Sequence, residues 1–376
     1  MPPFQFLQLV DVRIVGLGSI DLLRKRSRKF ISMAIIPEQP FAISEELRTI
    51  MDANMDEAPA RRRAREAFKE IQSSIDHILF KLPSDGIKMT EGFSKLSRGV
   101  EVFTKSWLPE ANPPKAVIFY CHGYGDTCTF FAEGTSRKLV LSGYGVYAMD
   151  YPGFGLSEGL HGFIPDFNLL VNDVIEYYSN VKEQYSLHSI PCFLFGQSMG
   201  AAVALKIHLK QPHEWNGAVL VAPMCKIADD MVPSALVKRM LLGMAQFFPK
   251  WKLVPSKDFA EACFRDPEKR KMCALNVLAY KDKPRLQTAA QLLKTTEEIE
   301  RRLNEVRMPL LILHGERDIV TDPSVSKALY EQASSSDKNF ILYKDCFHSI
   351  LEGEPDELIS QVFDDIVSWL HKHVSL

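Results

Sequence analysis

The chain has 376 residues, 46% of them hydrophobic, enough for one large core with a smaller accessory region. A formal net charge of -2 removes any global electrostatic basis for binding nucleic acid. The 7 cysteines, spread from Cys121 to Cys346, lack the paired spacing of a metal site and read as small buried hydrophobes of a reducing, cytoplasmic compartment.

Residues 1–40 carry no clear pattern. Their stretch "RIVGLGSIDLLRKRSRKF", apolar and then basic, reads either as an organelle-targeting segment or as a disordered extension. Residues 41–80 read as a helical arm. Ser44 can cap its first helix, with Glu45 and Glu46 complementing the dipole, and Pro59 divides it in two. The basic run "RRRAR" at Arg61–Arg65 reads as a solvated helix face. "EGFSKLS" and "VEVFTKSWL", joined by Arg98 and Gly99, predict a β-hairpin.

From Ala116 the rhythm changes. "AVIFYC", "GVYAM", "CFLF", "GAVLVA", "LLILH" and "NFILY" are short continuous apolar runs, most of them separated by helix-length segments. This predicts an α/β fold, a mostly parallel sheet with helices on both faces. Chemistry in such sheets gathers beyond the carboxyl ends of the strands. The runs are followed by "HGYGD", "DYPGFG", "GQSMG", "HGERD" and "CFHS". Residues 226–305 show only helical pattern and predict a helical cap inserted before the last two strands. Core segments at 81–225 and 306–376 flank it. The best candidate for a membrane span, "MVPSALVKRMLLGMAQFF", is broken by Lys238 and Arg239 and does not read as one.

In "CFLFGQSMGAAVALKIHL", Ser198 lies between Gly196 and Gly200 at a strand-to-helix junction. A sharp turn there holds a hydroxyl clear of the backbone, and glycines on either side remove clashing side chains. The hydroxyl also needs a base and a group to orient that base. His348, in a loop past the last strand, is the candidate base. Asp318, shortly after the preceding strand, is the candidate acid, while Asp322 before Pro323 reads as a helix cap. His122 and His314 are rivals of His348 as the base, but each closes a strand just before a glycine, which suits an imidazole bonded to backbone in a structural role. The backbone N–H groups of Met199 and Tyr124 are the candidate donors to an oxyanion.

Taken together, these five motifs resemble the monoacylglycerol lipase branch of the α/β-hydrolases. The closer likeness is to plant monoacylglycerol lipases, a group that includes caffeoylshikimate esterase, and it runs from about Ser44 to the end of the chain. The resemblance implies the α/β-hydrolase fold and a serine esterase without metal or cofactor. It also implies a triad of Ser198, Asp318 and His348, with Tyr124 and Met199 at the oxyanion. Two positions depart from it. Ala201 stands where relatives carry a second glycine. Arg317 stands where they carry a small residue, and a cation there would compete with His348 for Asp318.

Within the predicted cap, Leu236, Val237, Met240, Leu241, Met244, Phe247 and Phe248 fall on one side of a helix, with Ser234, Lys238, Arg239 and Gln246 opposite. That apolar side either packs on the core or binds substrate through Leu236, Met240, Met244 and Phe247, as a pocket wall or a contact with a membrane surface. The favoured substrate is a monoacylglycerol or lysophospholipid. Alternatives are a caffeoylshikimate-type phenolic ester, acyl transfer suggested by His161 and Asp166 in an H-x-x-x-x-D pattern, and a catalytically silent receptor.

Overall fold

The computed structural model describes residues 44–226, 234–254 and 259–374. The expected extension at 1–40 lies outside the described residues, as do parts of the expected cap.

Every predicted apolar run is a strand. The hairpin is β1 (Ile87–Lys95) and β2 (Glu101–Pro109), antiparallel, with Gly99 at φ +87° in its turn. Its first strand starts earlier than the pattern suggested, because an exposed strand has no apolar alternation to mark its beginning. Then follow β3 (Val117–Cys121), β4 (Gly145–Met149), β5 (Cys192–Gln197), β6 (Gly217–Val221), β7 (Leu310–Gly315) and β8 (Lys338–Tyr343). The sheet order is β1-β2-β4-β3-β5-β6-β7-β8, and from β4 to β8 all neighbours are parallel. The chain passes from β3 outward to β4 and returns on the other side as β5. The strand order therefore reverses between β3 and β5, and the loops at Gly123 and Ser198 begin beyond the carboxyl ends of these two strands.

The arm forms α1 (Glu45–Met51), capped by Ser44, and α2 (Ala58–Ser73), with Pro59 in its first turn. The core helices are α3 (Phe131–Leu141), α4 (Phe167–Gln184) and α5 (Met199–Lys210). Between β6 and β7 lie α6 (Ala235–Phe247), α7 (Phe259–Cys263), α8 (Pro267–Cys273) and α9 (Leu286–Glu300), with no strand among the described residues. The chain ends with α10 (Pro323–Gln332) and α11 (Asp356–Val374). The two faces of a strand meet different layers. On β5, Leu194 joins the cluster formed with α4 and α5, while the Phe193 ring meets Trp369 of α11 at 5.9 Å. Ile299 near the end of α9 belongs to that same cluster, and Lys206 of α5 pairs with Glu298, so α9 also covers the core.

The basic run is not a solvated face. Arg61 is fully buried and donates to the carbonyls of Met55, Asp56, Gly155, Ser157 and Gly159. Arg62 and Arg65 pair with Glu101 and Glu91. A charge run mimics a solvated face in sequence because three of the five carbonyls that bind Arg61 come from a loop nearly a hundred residues away. Replacing Arg61 by alanine strands buried carbonyls and should cost roughly 3 kcal/mol or more, read as a lower urea midpoint.

Candidate active site and relatives

Ser198 sits at φ 55° and ψ -118°, a region few side chains tolerate, and α5 starts at the next residue. Such strain costs on the order of 1–3 kcal/mol and persists only where packing enforces it. Here the enforcement is visible. Ser198 N–H donates to Val221 O (2.9 Å), and its carbonyl accepts from Met224 N (3.1 Å). The flanking glycines have no room for a side chain. A Cβ on Gly200 would stand 1.9 Å from Cys121 O, and one on Gly196 would stand 2.5 Å from Gly200 O. Ser198 itself remains half-buried, so its hydroxyl can be reached.

The loop after β3 lies against this turn. A Cβ on Gly123 would be 3.6 Å from Ser198 Cβ. Among the described residues, neither the N–H of Tyr124 nor that of Met199 is taken up by the main chain, and that of Met199 opens a helix. The His122 ring bonds Gly123 O and the Tyr151 amide, so it holds the loop as expected.

Asp318 and His348 meet directly, with Nδ1–H donating to Oδ2 at 2.5 Å, and both are buried. Asp318 Oδ1 accepts from the amides of Val320 (2.7 Å) and Thr321 (3.0 Å), and Oδ2 also accepts from the Thr321 hydroxyl (2.9 Å). Burial alone would raise the Asp318 carboxyl, but His348 and His314 beside it hold it well below the usual carboxylate range. Burial would lower the His348 imidazole; Asp318 and Glu352 outweigh it, and the net shift is upward. The pair is tied to the Ser198 turn by two bridges. Thr321 Oγ1, whose single proton Asp318 Oδ2 and Ala222 O must share, lies 3.1 Å from Ala222 O, just past β6. Gln197, preceding Ser198, donates to Glu352 (2.9 Å), four residues past His348.

Arg317 does not compete for Asp318. It extends outward to Asp345 at 2.8 Å and is exposed. A turn residue beside a buried carboxylate need not share its direction, and that direction is invisible in sequence. His161 and Asp166 do not form a pair either. Asp166 caps α4, and the His161 ring bonds Leu278 O at 3.2 Å.

Three participants escaped the sequence reading. His314 bonds Thr321 O as a structural imidazole would, but it also bonds Asp318 Oδ2 at 3.0 Å. Thr321 touches both Asp318 and His348. Tyr280, from the segment between β6 and β7, donates its N–H to Gly125 O (2.7 Å), and its ring lies edge-on to Tyr124 (5.9 Å). Only His314 carried a signal, being four residues before the acid.

The family profile described as "Serine aminopeptidase, S33" matches residues 112–356, which span β3 to the start of α11. The chain belongs to this family. Caffeoylshikimate esterase of Arabidopsis thaliana is 32% identical over 295 residues, covering 77% of this chain and 88% of that protein. Monoglyceride lipase of Homo sapiens is 28% identical over 282 residues, covering 74% and 89%. The solved structure of a soluble variant of monoglyceride lipase from Saccharomyces cerevisiae shares the fold. Its TM-score is 0.67 at 20% identity, over 75% of this chain and 94% of that one. The α/β-hydrolase fold and membership among the carboxylic ester hydrolases follow, as the motifs implied. The expectation of a mostly parallel sheet wrapped by helices holds in the same form.

The apolar side of α6 is only partly packed. Leu241 and Ala245 join Leu286 and Ala290 of α9 in a small cluster. Leu236, Met240, Met244 and Phe247 are exposed, Phe247 by 78%. Phe248 and Trp251, also exposed, stack at 4.1 Å between ring centres. Packing of the whole apolar side on the core is therefore corrected: the helix turns its Leu241–Ala245 edge to α9 and leaves the neighbouring stripe outside. Among the described residues, no helix is long and apolar enough to cross a membrane.

Proposed function

We propose that the protein hydrolyses a lipid ester, a monoacylglycerol or lysophospholipid, through an acyl-enzyme on Ser198. His348 takes the Ser198 proton as the hydroxyl attacks the ester carbonyl. Asp318, bonded to Nδ1, fixes the tautomer that leaves Nε2 free for this and stabilises the imidazolium. The tetrahedral oxyanion is met by the N–H groups of Tyr124 and Met199. His348 then protonates the leaving alcohol, and water, activated by the same imidazole, releases the fatty acid. The observation that carries this reading is the buried Asp318–His348 pair at 2.5 Å, bridged to the strained Ser198 turn.

The exposed α6 stripe supports a lipid substrate. Leu236, Met240, Met244 and Phe247, with the Phe248–Trp251 stack, form an apolar surface suited to the interface of a membrane or micelle. Replacing Leu236 and Phe247 together by serine should cost about tenfold more activity on long-chain monoacylglycerol in vesicles than on a short soluble ester. Equal losses on both substrates would assign the stripe no interfacial role.

A second reading, hydrolysis of a phenolic ester, is favoured by the 32% identity with caffeoylshikimate esterase. One preparation assayed on monoacylglycerols, lysophospholipids and caffeoyl esters separates the two. Much faster turnover of caffeoyl esters than of any lipid would overturn the lipid reading.

A further inference from the structure

Asp318 Oδ2 serves two imidazoles. Besides His348 Nδ1 at 2.5 Å it faces His314 Nε2 at 3.0 Å, and Nε2 also faces Thr321 O at 2.7 Å. A carboxylate oxygen and a carbonyl oxygen can only accept, so Nε2 carries a proton and shares it between them. Behind the ring, Nδ1 lies 2.6 Å from the Ser326 hydroxyl of α10, which donates to it and fixes that tautomer. His314 and Ser326 are both fully buried.

The carboxylate does not need His314 to stay in place. Two backbone amides hold Oδ1, and the Thr321 hydroxyl lies on Oδ2. What His314 uniquely supplies is a second imidazole N–H on the oxygen that His348 uses. We propose that His314 is a positioning residue for the reaction, one whose Nε2–H shares Asp318 Oδ2 with His348 and sets how strongly that oxygen holds the general base. The inference rests on the triad reading above.

The sign follows from the sharing. Removing His314 concentrates the charge of Oδ2 on His348, stabilises the imidazolium, and keeps the base protonated to higher pH. The other groups facing the pair stay in place. They are Glu352 on the loop of His348, Thr321 on the β7–α10 loop, and Cys263 of α7 toward Asp318. Arg317 is engaged with Asp345.

The test is the pH dependence of the rate at which a fluorophosphonate modifies the full-length enzyme. In His314→Leu the acid limb should move up by about one pH unit. In His314→Gln, whose amide nitrogen reaches the place of Nε2, it should return to the wild-type position. A merely structural histidine would lower the melting temperature and leave the limb where it was. An unmoved limb in His314→Leu, or one moved to lower pH, overturns the proposal. Should His314→Leu fail to fold, Ser326→Ala is read by the same sign, since it weakens the donor only from behind. Ser198→Ala runs alongside. Its failure to label upholds the triad reading independently, and labelling of that variant removes the reading and this inference with it.

Discussion

Replacing Ser198 by alanine should lower kcat for ester hydrolysis by about 10⁵-fold or more, with the melting temperature within a few degrees of wild type. The change removes the oxygen proposed to form the acyl-enzyme and nothing that holds the fold. The backbone bonds of the turn, from Ser198 N to Val221 O and from Met224 N to Ser198 O, are indifferent to the side chain. Alanine keeps the Cβ and therefore the same strain at φ 55°. The N–H groups of Tyr124 and Met199 would remain, so some rate above that in water should survive. A variant retaining more than about a hundredth of the activity would place the nucleophile elsewhere.

Replacing Gly200 by alanine should abolish folding or cost about 3 kcal/mol or more, although it adds one methyl group. The added Cβ would stand 1.9 Å from Cys121 O and 2.7 Å from His122 O. Those atoms belong to β3 and the loop after it, whose position is fixed by pairing with β4 and β5, so they cannot step aside as a flexible side chain would. Any relief must pull α5 away from β3, and that moves the Met199 N–H and the Gly123 loop out of register with Ser198. Labelling by a fluorophosphonate should fall with stability. Gly92 provides the contrast: it lies in β1 with nothing within 4 Å of an added Cβ, and Gly92→Ala should stay within about 0.5 kcal/mol of wild type by urea unfolding. Equal effects at the two positions would mean that the close approach at the turn is not what requires glycine.

The strands and the turn at Ser198 were legible because their signals are local. A parallel strand buried on both faces must be a continuous apolar run, and a hydroxyl held between two close backbones must have glycines beside it. The Asp318–His348 contact was legible by chain order, since each follows its own strand at the same edge of the sheet. What failed to show was direction. Arg317 adjoins the acid in sequence but points to Asp345. Arg61 belongs to a charge run but is buried by carbonyls from a distant loop. The α6 pattern marked an apolar side without marking its edge, and Leu286 and Ala290 of α9 pack against Leu241 and Ala245 of that helix. His314 looked structural because a histidine before a glycine at a strand end normally is; its second bond to Asp318 depends on a loop that folds back four residues.

The central claim is most directly tested by mapping the covalent adduct. Wild-type protein treated with a fluorophosphonate, digested and analysed by mass spectrometry should carry the added mass on the peptide containing Ser198, and acid-quenched turnover of a slow ester should place an acyl group at the same residue. An adduct on any other residue, or steady turnover with no acyl-enzyme on Ser198, would contradict the account.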